Sequence, residues 1–171
     1  MENIISIDET SIDTHLCYNY GWSKSGSKTI IKKTNKKIRY TVISAIGFNK
    51  VILNKIIKGS CNGEIFLHFI KELLIYFPKN ENRKIILDNA RIHHYRKLKE
   101  YIKKTNNVDF IYNIPYSPES NPIEKVFNEI KQKLKKVKFN NENILREIKK
   151  SFNTISGNNI TKYYKKSLNF Y

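Results

Sequence analysis

Cysteine is nearly missing from this 171-residue chain, which has only Cys17 and Cys61, in unrelated contexts. That excludes a disulfide framework, and no Cys or His cluster has zinc spacing. The pair reads as reduced thiols of an intracellular protein. Long apolar runs are missing too. None approaches the ~20 residues that span a bilayer, and Met1–Thr14 carries acids where a signal peptide has an apolar core. The expectation is a soluble protein with no membrane partner. No repeat and no Gly/Ser- or Pro-rich linker marks a second domain. Acids are scarce: 15 Asp and Glu stand against 32 Lys and Arg, for a net charge of +17. Such an imbalance favours a polyanionic partner, most simply nucleic acid. An AT-rich genome, which enriches Lys, Asn and Ile, accounts for part of the lysine excess equally well. What remains is 40% hydrophobic, enough for one domain with a real core.

The apolar pattern predicts strands at Ile4–Asp8, Cys17–Ser23, Tyr40–Phe48, Val51–Ile57, Lys84–Asp88 and Val108–Ile114. Helical spacing predicts helices over Glu64–Phe77, His93–Lys104, Pro122–Lys136 and Glu142–Phe152. Asn62 is placed to cap the first helix and Pro78 to stop it. The tail, Ile160–Tyr171, fits no one state. A strand meander, then alternating helices and strands, describes an α/β domain: a mixed sheet with helices on its faces.

Three acids carry the chemistry. Asp8 follows Ile4-Ile5-Ser6-Ile7, and Asp88 follows Ile85-Ile86-Leu87. A carboxylate at the end of a buried strand is costly unless paired, hydrogen-bonded or bound to a cation. Glu124 opens a helix behind the proline-rich loop Tyr116-Ser117-Pro118-Glu119-Ser120-Asn121-Pro122. Each acid has a duller role open to it. Asp8 and Asp88 can accept backbone bonds in turns. Asn121, Pro122 and Glu124 form a capping arrangement favoured by the helix dipole. Converged, the three would suit two divalent ions about 4 Å apart and an in-line attack on a phosphodiester.

Asp88-Asn89-Ala90-Arg91-Ile92-His93, followed by Pro115–Glu124, resembles the DDE transposases of the mariner-like superfamily, in particular their bacterial insertion-sequence branch. The 35 residues between Asp88 and Glu124 match that family's spacing. Ile7-Asp8-Glu9 matches its first acid, and Tyr20-Gly21-Trp22-Ser23 with Gly26 its Gly-Trp hairpin; the resemblance covers roughly Ile4 to Lys136. It implies an RNase H-like fold and metal-dependent DNA cleavage and strand transfer. Asp8, Asp88 and Glu124 are then the catalytic, metal-binding acids, served by two Mg²⁺ or Mn²⁺ ions with no small-molecule cofactor. Glu9 is set aside because alternation turns it to the other sheet face. The implied partners are transposon-end and target DNA, with a homodimer on DNA. The implied location is the cytoplasm or nucleoid in a prokaryote and the nucleus in a eukaryote. Phe127 stands where relatives often carry tryptophan. The expected division is a catalytic domain at 1–140 and a helical extension at 141–171 packed on it. The family's N-terminal helix-turn-helix region is expected to be absent. Two alternatives stand beside this: an inactive remnant that only binds DNA or dimerises, and an RNase H-like nuclease that cuts without joining.

Charge patterning suggests where DNA would lie. Glu124, Asn128, Lys131, Lys135 and Lys138 recur at steps of three and four along one helix edge, which predicts lysine contacts to phosphates beside the acids. A solvated lysine face has the same pattern. A second basic cluster includes Lys36, Lys37 and Arg39 and predicts a reach to DNA or a partner subunit. His93 and Asn89 are auxiliary candidates; for His93 a histidine held by hydrogen bonds at a helix start is the preferred reading.

Overall fold

A computed structural model describes residues 3–16, 22–28, 30, 37–78, 81–114, 117–137 and 142–168. Five strands form one mixed sheet in the order β3-β2-β1-β4-β5. They are β1 (Ile4–Asp13), β2 (Arg39–Ile46), β3 (Val51–Lys58), β4 (Arg83–Leu87) and β5 (Val108–Tyr112). β1 runs antiparallel to β2, and β2 to β3, while β4 lies parallel to both β1 and β5. The helices are α1 (Gly63–Leu74), α2 (Arg96–Lys103), α3 (Pro122–Lys135), α4 (Ile144–Asn153) and α5 (Gly157–Leu168).

Alternation along β1 splits the core into two layers. Ile5 and Ile7 pack with Phe66, Phe69, Ile70 and Leu73 of α1 and with Leu98 of α2. Ile12 packs on the other face with Ile123, Val126, Phe127 and Ile130 of α3, Ile148 and Phe152 of α4, and Tyr164 of α5. Each such side chain, once buried, contributes about 1.5–3 kcal/mol, so α1 gains most of its stability from five buried residues on one stripe. Asn62 caps it, its side chain accepting the Ile65 N–H at 2.9 Å.

Several boundaries differ from the sequence expectation. β1 does not end at Asp8. Its pairing with β4 stops at Ser6, opposite Ile86, but its pairing with β2 runs on to Asp13 opposite Arg39. Asp8 thus lies just past the parallel ladder, in mid-strand. α1 stops at Leu74, because Ile75 and Tyr76 turn out to solvent and Pro78 disfavours helix in the residue before it. The helix expected over His93–Lys104 divides into a 3-10 turn at Arg91–His94 and α2. Of the strand expected at Cys17–Ser23, Cys17–Gly21 lie outside the described residues, while Trp22 and Ser23 form no strand and Trp22 is fully exposed.

The ambiguous tail is helical as far as Leu168. Its Tyr164 is fully buried; the hydroxyl accepts from Ser6 N–H at 3.1 Å and donates to the Ile46 carbonyl at 2.6 Å. Gly157 begins α5 where a Cβ would collide with the Asn49 carbonyl, so the helix seats directly on the β2–β3 turn. Among the described residues, no helix is long and apolar enough to cross a membrane.

Candidate active site

Ser6, Asp8 and Thr10 alternate toward the α3 side of β1, and all three are buried. Asp8 is 6% exposed. One carboxylate oxygen accepts the Glu9 N–H at 2.7 Å, and the other lies 3.4 Å from the Asn121 amide nitrogen. No cationic side chain among the described residues pairs with it. Burial, then the charge of Glu124, pushes its pKa up to about 8; Glu9 and Asp88 add to the rise. The three acids named from the sequence therefore share one electrostatic neighbourhood. Glu124 is exposed on the first turn of α3, and its carboxylate makes no hydrogen bond or ion pair with the described residues.

Asp88, directly after β4, is built differently. Its Oδ1 accepts the Ala90 N–H at 2.9 Å and stands 2.8 Å from His93 Nδ1. The hydrogen bond from His93 holds its carboxyl below the usual range. His93 itself is fully buried. Its Nε2 faces Glu9 Oε1 at 3.2 Å, and its ring lies 4.4 Å from that of Phe66. Burial works against a charge there, but the bonds to Asp88 and Glu9 outweigh it and push the imidazole up to about 10. Glu9 lies on the α1 side of β1, opposite to Asp8.

Among the described residues, no three His, Cys, Asp or Glu side chains are drawn close enough to close on one ion as they stand. Like charges without a counter-ion repel, and Asp88 is turned toward His93. The remaining candidates scatter. Asn89 donates to the Asn113 carbonyl at 2.8 Å and so ties the β4 loop to the β5 loop. Lys37 pairs with Asp13 at 3.1 Å, and Arg39 donates to Ser11 at 2.8 Å; both hold the root of the β1–β2 connection rather than the acids. Lys131 and Lys135 are half-buried on the Glu124 edge of α3. Lys36 and Lys138 lie outside the described residues.

Sequence reasoning missed Ser6 and placed Asn121 correctly at the N-cap without finding what its side chain bonds. Asn121 occupies the N-cap place of α3 but makes no capping bond with its side chain. Its Oδ1 instead accepts the Ser6 hydroxyl, and Ser6 Oγ accepts the Ile123 N–H at 3.3 Å. Ser6 lies 115 residues away, so no local rule signals the exchange.

A family model described as DDE superfamily endonuclease matches residues 3–146. No curated protein matches the chain in sequence. Among solved structures, a Mos1 mariner paired-end complex with Mn matches at 15% identity and TM-score 0.81, over 96% of this chain and 52% of that one. A Mos1 transposase paired-end complex with left transposon end matches at 15% identity and TM-score 0.78, over 97% and 52%. The catalytic domain of Mos1 mariner transposase matches at 16% and 0.74, over 97% and 77%. The chain shares their RNase H-like fold and spans about half the length of the Mos1 chains in the paired-end complexes.

Proposed function

The chain belongs to the DDE superfamily of endonucleases, and from that premise we propose that it is the catalytic domain of a transposase that cuts and joins DNA, using Asp8, Asp88 and Glu124 to hold two Mg²⁺ or Mn²⁺ ions. One observation carries this reading: Asp8 is a buried hard-oxygen donor without a cationic partner among the described residues, pushed up to about 8 by burial and by Glu124. Such a donor fits a hard divalent cation, which replaces the missing counter-charge. Divalent ions bound between these acids supply Lewis-acid stabilisation of the attacking and leaving oxygens of a phosphodiester displacement.

The chain's own residues prepare the site. His93 and the Ala90 amide occupy Asp88 Oδ1, which leaves Oδ2 available as a hard-oxygen donor. Glu124 approaches from the first turn of α3, outside the sheet, and its exposure leaves room for DNA beside it. Lys131 and Lys135 continue that edge and would neutralise phosphates along the strand. The motifs Asp88–His93 and Pro115–Glu124 support the bacterial insertion-sequence branch. The Mos1 complexes with paired ends support a dimer acting on two transposon ends.

The test is nicking of supercoiled plasmid with Mn²⁺ or Mg²⁺. We expect metal-dependent nicking that Asp88→Ala abolishes, and joining of pre-cut donor ends to a target. Nicking that survives chelation or the substitution rejects the reading. Cutting without joining replaces it with a nuclease.

A further inference from the structure

Resting on that reading, we propose that Asn121 is a positioning residue of the metal site: it seats the Asp8 carboxylate and, through Ser6, fixes the start of α3 so that Glu124 meets Asp8. Asn121 is 2% exposed and sits where a helix normally takes a local cap. Its side chain gives up that duty. The hydrogens of the network assign themselves. Ser6 Oγ already accepts the Ile123 N–H, so its single proton goes to Asn121 Oδ1. That leaves the Asn121 NH₂ group as the donor facing Asp8 Oδ2 at 3.4 Å. With Asp8 ionised, as a bound cation requires, a flipped amide would set a carbonyl against a carboxylate and an NH₂ against the Ser6 proton.

The geometry follows from two periodicities. Ser6 and Asp8 are two residues apart, hence on one face of β1, and one amide spans both. Ile123 and Glu124 lie in the first turn of α3, locked behind Pro122. Ser6 therefore caps α3 from another element, and the helix start cannot slide along β1 without breaking three buried bonds. Asp8 and Glu124 come from elements far apart in sequence, and this network is the buried polar link between their backbones. A neutral amide donor suits the place. It supports the Asp8 carboxylate without supplying the cation that a lysine would, so the charge deficit is kept for the metal.

The experiment is Mn²⁺ binding by titration calorimetry without DNA, with the melting temperature measured alongside. Asn121→Ala is expected to weaken Mn²⁺ binding about tenfold or more, as outer-shell substitutions do. Ser6→Ala is expected to weaken it several-fold, and the double variant to lose little beyond Asn121→Ala alone, because the two act as one network. Tyr164→Phe is the control. It removes bonds to Ser6 N–H and the Ile46 carbonyl, so it lowers the melting temperature while leaving Mn²⁺ affinity within about twofold of wild type. If Asn121→Ala does not fold, Ser6→Ala carries the test. Wild-type affinity in the folded Asn121→Ala or Ser6→Ala protein overturns the proposal. So does an equal loss in Tyr164→Phe, which would mean general loosening. Asp8→Ala separates the two levels. Mn²⁺ binding that needs Asp8 but ignores Asn121 sinks this inference alone, whereas wild-type protein with no Asp8-dependent binding sinks the metal reading with it.

Discussion

Asp88 is half exposed, bonded by the Ala90 amide and His93, and held below the usual carboxylate range. Asp8, one strand away, is nearly enclosed, has one short N–H partner, and is pushed up to about 8. Two acids of the same motif set thus have opposite electrostatic surroundings. The protein supplies one internal cation, the His93 imidazolium, and places it between Asp88 and Glu9 on the α1 side of the sheet. Among the described residues, it pairs no cation with Asp8 on the α3 side. Burying an unpaired carboxylate costs several kcal/mol, so without metal Asp8 takes up a proton. On the proposed metal reading, the pairing keeps Asp88 an ionised ligand, and its lack makes Asp8 the position where an incoming cation gains most.

Substitution of either acid tests this contrast most strongly. Asp8→Asn and Asp88→Asn should each reduce DNA cleavage about a thousandfold or more, since several kcal/mol of metal stabilisation are lost. Their stabilities should diverge. At pH 8 and above, in chelator, Asp8→Asn should raise the melting temperature and Asp88→Asn should lower it. Shifts of the same sign would break the comparison. Next in size, His93→Ala should cost about 2–3 kcal/mol in denaturant unfolding. It leaves Glu9 short of its partner and opens a cavity beside Phe66, with the Asp88 share discounted for its exposure.

An effect of comparable size is expected from pH. The Asp8 value of about 8 in the folded protein lies above the ~3.9 of an unfolded chain. The folded state therefore keeps a proton that the unfolded chain releases between those values. The Asp8 contribution is fully present below pH about 4 and is lost as pH rises toward 8, by an amount on the order of a few kcal/mol. Chelated protein should show this decline in urea midpoints. Asp8→Asn should flatten it and Asp88→Asn should not. The smallest effect belongs to the rim. Charge reversal at Lys131 and Lys135 should weaken DNA binding roughly tenfold at low salt and reduce the salt slope while the protein stays folded. Unchanged affinity would make this edge a solvated face.

Much of the scaffold was legible because it obeys local rules. The stripe from Ile65 to Leu73, the Asn62 cap and the apolar run into Asp88 each announce their element over a few residues. β1 was misjudged at its end because the apolar run stops at Asp8, yet pairing with β2 carries the strand on to Asp13 and buries Thr10. α5 was hidden because lysines surround Ile160 and Tyr164, and its start at Gly157 depends on close approach to Asn49. The same limit applies at the site. Asp8, Asp88 and Glu124 were proposed from the family resemblance, and strand alternation put Glu9 on the opposite face. The use Glu9 has there, bonding His93, was not legible. Nor was the role of Asn121, where a partner from β1 displaced the local capping rule.

The Tyr164 hydroxyl draws one last consequence. It clasps the Ser6 amide and the Ile46 carbonyl from a helix wholly downstream of the family-matched span. A stop codon just ahead of Gly157 would spare every acid of the triad and yet unfasten the strand that carries the first of them. A gene copy so clipped would pass inspection by motif and fail as a catalyst.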